Sequence, residues 1–412
     1  MLKASTLLYS VIISLVIALI TGSMLLFSGL SSKIFRHSMS QQELERNARS
    51  GLQLLLSGQE ILKTGEEKII DLYKEGNDSV FLSRKYWGAF EILLSKAVSH
   101  GQEDIVAGMA GYSADSSKNY SLYIADLDKP VSVCGNTIIK GTAFLPKPGI
   151  KRAYIEGQNY TGSSLVYGSI RQSEKTLPEF NRVIPEQIKN LHEQTEHSIL
   201  IDSPEGQLSN SFLSPLKVIF SASAITLSDS LTGHIAVISK HMVTIEPGAY
   251  LRDIVIYAPK IKIRKGFKGN LQLFASDSII VENEVSFNYP SVLGIVNETS
   301  AAAGIQLGEN DTVCGSIFIT DNNLKQKQQV PGISIPALSV IYGTVYSDGY
   351  ADIKGKIFGS VMCNNIVLRT SSSIYENHLL NAVIDRTLLS SHFIGINFLE
   401  NSGSNKIVKW LY

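Results

Sequence analysis

Counting every sixth residue from Leu213 gives Ile219, Ile225, Leu231, Val237, Val243, Ala249, Val255, Ile261, Phe267, Leu273, Ile279 and Val285, an unbroken apolar series. A second register two residues later holds Ile245, Leu251, Tyr257, Ile263, Ala275, Val281 and Phe287. Positions i and i+2 of a strand point to one face, so each hexad reads as a short strand with two inward side chains. Three hexads make one triangular coil of about 18 residues, the rhythm of a parallel β-helix in which each strand stacks on its counterpart one coil earlier. The look-alike stretches "VTIEPGAYL", "IKIRKGFKG" and "IIVENEVSF", which begin at Val243, Ile261 and Ile279, follow from that period.

Turn chemistry agrees. Pro247-Gly248, Lys265-Gly266 and Asn283-Glu284 recur at one corner, where glycine or asparagine tolerates unusual dihedrals. Gly343, Gly349 and Gly355 resume the six-residue step, with Val345, Ala351, Ile357 and Cys363 two residues on, so the coil is expected to continue past an interruption between Pro290 and Pro336. The stretch 133–157 has the same short-strand texture and is expected to open the coil, while the polar stretch 177–196 reads as a helical insertion.

Residues 5–30 carry no charge and are long enough, as a helix, to cross a bilayer. Beyond them Leu44, Ala48, Leu52, Leu55, Leu56, Ile69, Ile70 and Tyr73 recur at helical spacings among Glu and Arg. A transmembrane helix followed by an amphipathic stalk is expected, with Gly51, Gly58 and Gly65 as weak points. Lys3 precedes the span and Lys33 and Arg36 follow it, a near balance; the short leading side favours a cytoplasmic amino terminus.

The stretch "KASTLLYSVIISLVIALI" resembles the start of type IV pilins and pseudopilins, in which a short basic leader, a small residue and a Thr-Leu pair precede a long apolar helix. In that family a Glu commonly stands five residues after the cleavage point. With Ala4 as the leader's last residue that position is Tyr9, which resembles the minor, tip-located pseudopilins and bears against ordinary cleavage and filament assembly. A plain signal anchor shares the same pattern. The coil rhythm over residues 213–368 is similar to that of bactofilins, polymer-forming scaffolds with right-handed coils, though without a diagnostic motif. The left-handed hexapeptide acyltransferases do not match, because Thr, Tyr, Ile and Lys stand where small residues belong.

Composition limits the function classes. The 37 basic and 37 acidic residues of the 412-residue chain cancel, which removes a bulk electrostatic drive toward nucleic acid. Cys134, Cys314 and Cys363 form no CxxC pair and read as buried free thiols, with one disulfide and an odd thiol as the sharper alternative.

Candidate chemistry is sparse. In "HEQTEH" the second histidine, His197, follows His192 by five positions, about 140° round a helix, so the two do not share a metal-binding face; a solvated helix is the plainer reading. Asp253 and Asp277 do not align on one coil side, and Arg252, Arg264 and Lys265 occupy different steps, so no carboxylate site is gathered. The basic stretch 260–269 suits contact with an anionic glycan or, more plainly, solubility. Tyr154, Tyr160 and Tyr167 offer faces for sugars, although surface tyrosines seldom serve so. There is no phosphate-binding loop and no nucleophile elbow. No catalytic, cofactor-binding or metal-binding residue is assigned.

The expected fold is mainly β: transmembrane anchor (1–36), amphipathic stalk helix (37–76), small antiparallel sheet (77–130), first β-helix coils (131–170), helical insertion (171–212), a parallel β-helix, right-handed by the bactofilin comparison (213–370), and a C-terminal cap (371–412). The expected function is structural and non-catalytic: a single-pass inner-membrane component of a bacterial envelope apparatus, its soluble part periplasmic or extracellular. Its expected partners are the bilayer, other apparatus proteins and further copies, with no nucleic acid and no cofactor. A membrane-anchored carbohydrate-binding or carbohydrate-processing β-helix is the alternative.

Overall fold

The computed structural model describes residues 4–59, 62, 63, 65–72, 78–114, 120–191, 199–201, 206–297, 303–321, 331–399 and 403–411. The architecture is mainly β, with one long apolar N-terminal helix, and divides into two compact units: Met1–Arg84 with Leu93–Ala107, and Lys85–Ile92 with Gly108–Tyr412.

In the first unit, helix α1 (Ala4–Ser57) is continuous for 54 residues, about 80 Å at 1.5 Å per residue. The expected stalk to residue 76 is corrected: the helix stops at Ser57, Gly58 takes φ 70°, and β1 (Glu67–Ile70) is a strand. A glycine in the left-handed region ends a helix at little cost, and the apolar pair Ile69-Ile70 serves a strand as readily as a helix. Tyr73 lies outside the described residues. β1 runs antiparallel to β2 (Asp78–Trp87), with Ile70 opposite Val80. The sheet continues with β3 (Phe90–Ser99) and β4 (Gln102–Ala114). His100 and Gly101, both at positive φ, make the turn between β3 and β4.

The second unit is built on a parallel sheet that closes on itself. One ladder runs through Ile225, Val243, Ile261, Ile279, Ile305, Ile333, Ala351 and Ile366, each paired in parallel with the next. Ile225 is partly buried at its end and the rest belong to one continuous apolar core. The 18-residue step holds from Ile225 to Ile279 and again from Ile333 to Ala351; between them the turns lengthen, which is the interruption the sequence marks. Each fully buried aliphatic side chain contributes about 1.5–3 kcal/mol, so the core that this ladder and its neighbours fill is a large source of cohesion.

Two details of register differ from expectation. Asp253, at φ 60°, forms a bulge, and inward positions pass from Val255 and Tyr257 to Ile254 and Ile256. An inserted residue flips every following side chain to the other face until the next correction. At the marked corner, Gly266 (φ 85°) and Glu284 (φ 62°) are left-handed, whereas Gly248 is not. Elsewhere Gly315, Gly343 and Gly359 pair in register at φ of 150–159°, and a Cβ on Gly343 would stand 1.7 Å from the Gly315 carbonyl oxygen.

The order of the stack corrects the domain plan. Tyr120–Ile124, expected in the small sheet, is a parallel strand beside the C-terminal Val361, Met362 and Cys363. The stack runs on through Leu122, Ala143 and Ile170, while Val133 pairs with Leu379 and Ile139 with Ile384. Residues 131–170 therefore extend the end formed by residues 361–385, and Ile199–Ile201 begins the opposite end beside Lys217–Ser221. The expected helical insertion contains a single described α-helix, Val183–Lys189, and His192 to His197 lie outside the described residues. The expected cap is in part stack, Val383–Asp385, and in part the strand Gly403–Leu411, whose Ile407 packs on Gly108 of β4.

Candidate functional site

An extended apolar exposed surface runs along α1. Leu7–Ser57 contains a stretch long and apolar enough to cross a membrane, and none of that stretch is buried. Three of its hydroxyls are satisfied within the helix: Ser14 Oγ donates to the Ser10 carbonyl (2.9 Å), Thr21 Oγ1 to Ile17 (2.8 Å) and Ser23 Oγ to Ile20 (2.8 Å). That back-bonding removes the main cost of placing serine and threonine in hydrocarbon. Tyr9 is exposed at the position where the pilin resemblance implies Glu. Further along, Leu44, Ala48, Leu52 and Leu55 are buried at three- and four-residue spacing, and Gly51 faces Ser95, Val80 and Leu82.

On the second unit a cleft of about 780 Å³ lies over the outer face of the stack. Its floor carries Thr320, Tyr346, Asp348 and Asn364, and its other wall carries Arg182, Glu186 and Lys189. The Tyr346 hydroxyl donates to Asp348 Oδ1 (2.9 Å), and the Asp321 backbone N–H donates to Oδ2 (3.0 Å). Burial, the largest influence, raises the Asp348 carboxyl above the usual range, and it also raises the Tyr346 phenol, so that hydroxyl stays a donor. Asn297 Nδ2 donates to Asp321 Oδ2 (2.9 Å). Phe180, Phe274, Phe318, Tyr346 and Phe398 pack ring to ring beside it and hold the overlying segments. The six-residue period does not bring Asp321 and Asp348 together, because residues 322–330 interrupt it; the sign of the site in the sequence is the polar pair Asn297 and Asp321, which occupy one ladder.

A second, shallower groove of about 430 Å³ includes Tyr250, Arg252, Lys268, Asn270, Tyr289 and Lys409. Beneath it Asp253 is nearly buried and accepts hydrogen bonds from Asn270 Nδ2 (2.8 Å) and Lys409 Nζ, with Arg252 Nε at 3.6 Å. Its carbonyl accepts from Trp87 Nε1 (3.1 Å). Trp87 packs on His234 and Phe212, and Gln272 bridges Trp87 and Ala89 by accepting from the Ala89 N–H and donating to the Trp87 carbonyl.

The other sequence candidates are dispersed. Asp277 lies by Lys260 (3.4 Å), away from Asp253. Arg264 and Lys262 both approach Glu282 Oε1 at 3.0 Å; with the Lys262 hydrogen bond the larger influence, its carboxyl is pulled down to about 2. Lys265 pairs with Glu284. The basic stretch is thus in large part an ion-pair lattice along the parallel stack. Tyr154 is exposed, Tyr167 bonds Ser163, and Tyr160 is packed against the core with its hydroxyl on the Ser164 carbonyl. Cys134 and Cys363 are buried free thiols and Cys314 is a half-buried one. Among the described residues no group of three or more His, Cys, Asp or Glu is placed to hold a metal ion.

No protein-family model matches the chain, and no curated protein matches it. Among solved structures it is similar to the competence-associated pilin ComZ of Thermus thermophilus, at 12% identity over 85% of this chain and 86% of that one, with a TM-score of 0.22. At that score the likeness carries no argument about fold or function.

Proposed function

We propose that the chain is a non-catalytic, single-pass component of a bacterial envelope apparatus, pseudopilin-like at its amino terminus, with a right-handed parallel β-helix as its rigid body. The observation that carries this reading is the continuity of α1. One unbroken helix is apolar and largely exposed from Leu7 to Leu30, then buries Leu44, Ala48, Leu52 and Leu55 against its own sheet. A cleaved signal sequence has no use for such continuity; a helix that anchors and supports a folded body does. The 18-residue parallel steps support the β-helix reading, and the rule that parallel crossovers wind right-handed supports its hand. The bactofilin-like rhythm has no further support.

In this reading the amino terminus faces the cytoplasm and the body lies outside the inner membrane, meeting other apparatus proteins or further copies. Protease added to spheroplasts tests it: digestion of the body is expected, and full protection with an intact amino-terminal mass defeats it.

A further inference from the structure

We propose that the groove formed by Tyr250, Arg252, Lys268, Tyr289 and Lys409 is a binding site for an acidic polysaccharide. This goes beyond the anchored-scaffold reading and does not depend on it.

The groove is organised from below. Asp253 occupies a backbone conformation that non-glycine residues seldom adopt, at φ 60°, in the first of two bulges between its strand and the strand Lys268–Val281. Its carboxylate is 7% exposed, and it draws Lys409 from the last strand and Arg252 from its own. One nearly buried anion thus fixes two cations at the surface, and Lys268, exposed, adds a third. The excess positive charge suits carboxylates of a ligand, and cations held in place lose little side-chain freedom on binding.

Two tyrosines give the groove its second character. Tyr250 is 55% exposed beside these cations, and Tyr289 is 38% exposed while its hydroxyl is tied to the Ile394 carbonyl (2.9 Å). Anchored, partly exposed aromatic rings with amides beside them, here Asn270 and Asn288, offer an apolar platform and hydroxyl partners together. Sugar rings bearing carboxylates match all three features: charge, platform and amides. The neighbouring basic stretch lacks this arrangement, because Lys262, Arg264 and Lys265 are committed to Glu282 and Glu284.

The test is calorimetric titration of the full chain in detergent micelles with hexagalacturonate, maltohexaose and hexathymidylate at low and high salt. Saturable binding of hexagalacturonate is expected, weakened by salt, about five- to tenfold weaker in Tyr250→Ala and about tenfold weaker in Lys268→Ala. Both side chains are exposed, so each variant keeps its fold, which its melting curve checks. Absence of saturable binding overturns the proposal. So does equal binding of maltohexaose, or hexathymidylate binding as tight as hexagalacturonate.

Discussion

Leu122 and Val361 are adjacent rungs of one parallel ladder, although most of the chain lies between them. Ser360 Oγ donates to the Tyr120 carbonyl at 2.6 Å across the same joint. The joint has no covalent link along the stack, so its strength rests on side-chain packing and ladder hydrogen bonds.

Leu122→Ala removes a fully buried side chain at that joint and is expected to cost about 2–5 kcal/mol. Hydrogen exchange is expected to quicken in Tyr120–Ile124 and, equally, at residues 361–363, while residues 235–245 keep their protection. Exchange confined to Tyr120–Ile124 would mean the two segments open independently.

Gly51→Ala sets two effects against each other. Alanine favours a helix over glycine by about 1 kcal/mol, but its Cβ would stand 2.4 Å from Ser95 Oγ and 2.7 Å from Val80 Cγ1. Overpacking of that kind costs about 1–3 kcal/mol, so a net loss of stability is expected, read as a lower melting temperature. Gly29→Ala, where nothing lies within 4 Å, is expected to show no loss.

Much of the stack was legible in the sequence because its physics is local and periodic. A six-residue apolar step can be met by few other folds, and Val243, Ile261 and Ile279 stand where the step puts them. The bulge at Asp253 was illegible, since one residue at positive φ leaves no mark in an apolar count. The order of strands in the stack was illegible for a different reason: Leu122 and Val361 carry no sign of one another, and pairing of distant segments is decided by the packed core alone. The end of α1 was misjudged where Ile69 and Ile70 satisfy either period. The groove was missed because Lys409 reaches Asp253 from a strand 156 residues away.

Gly343→Ala tests the corner ladder. Its Cβ would meet the Gly315 carbonyl oxygen at 1.7 Å, which only a backbone shift relieves, and the φ of 150° is unfavourable for alanine besides. A loss of more than about 3 kcal/mol in denaturant unfolding is expected, at the severe end of single substitutions.

Asp311 gives a pH dependence. Burial, against the opposing hydrogen bonds from the Val285 and Gly308 N–H groups, pushes its carboxyl up from 3.8 to about 6. With the folded value above the unfolded one, the native state binds the extra proton between these values. This group's contribution is therefore fully present below about pH 4 and is lost as pH rises through 6. The stability of the native chain minus that of Asp311→Asn is expected to fall across that window, measured by denaturant unfolding at stepped pH. A difference that rises or stays flat would contradict the assignment.

In the proposed function α1 anchors a body that lies outside the inner membrane. Proteinase K treatment of intact spheroplasts, followed by intact mass of the fragments that remain in the membrane, tests it most directly. Loss of the body and survival of a membrane-embedded fragment from α1 are expected. A body that resists digestion until the spheroplasts are lysed would contradict it.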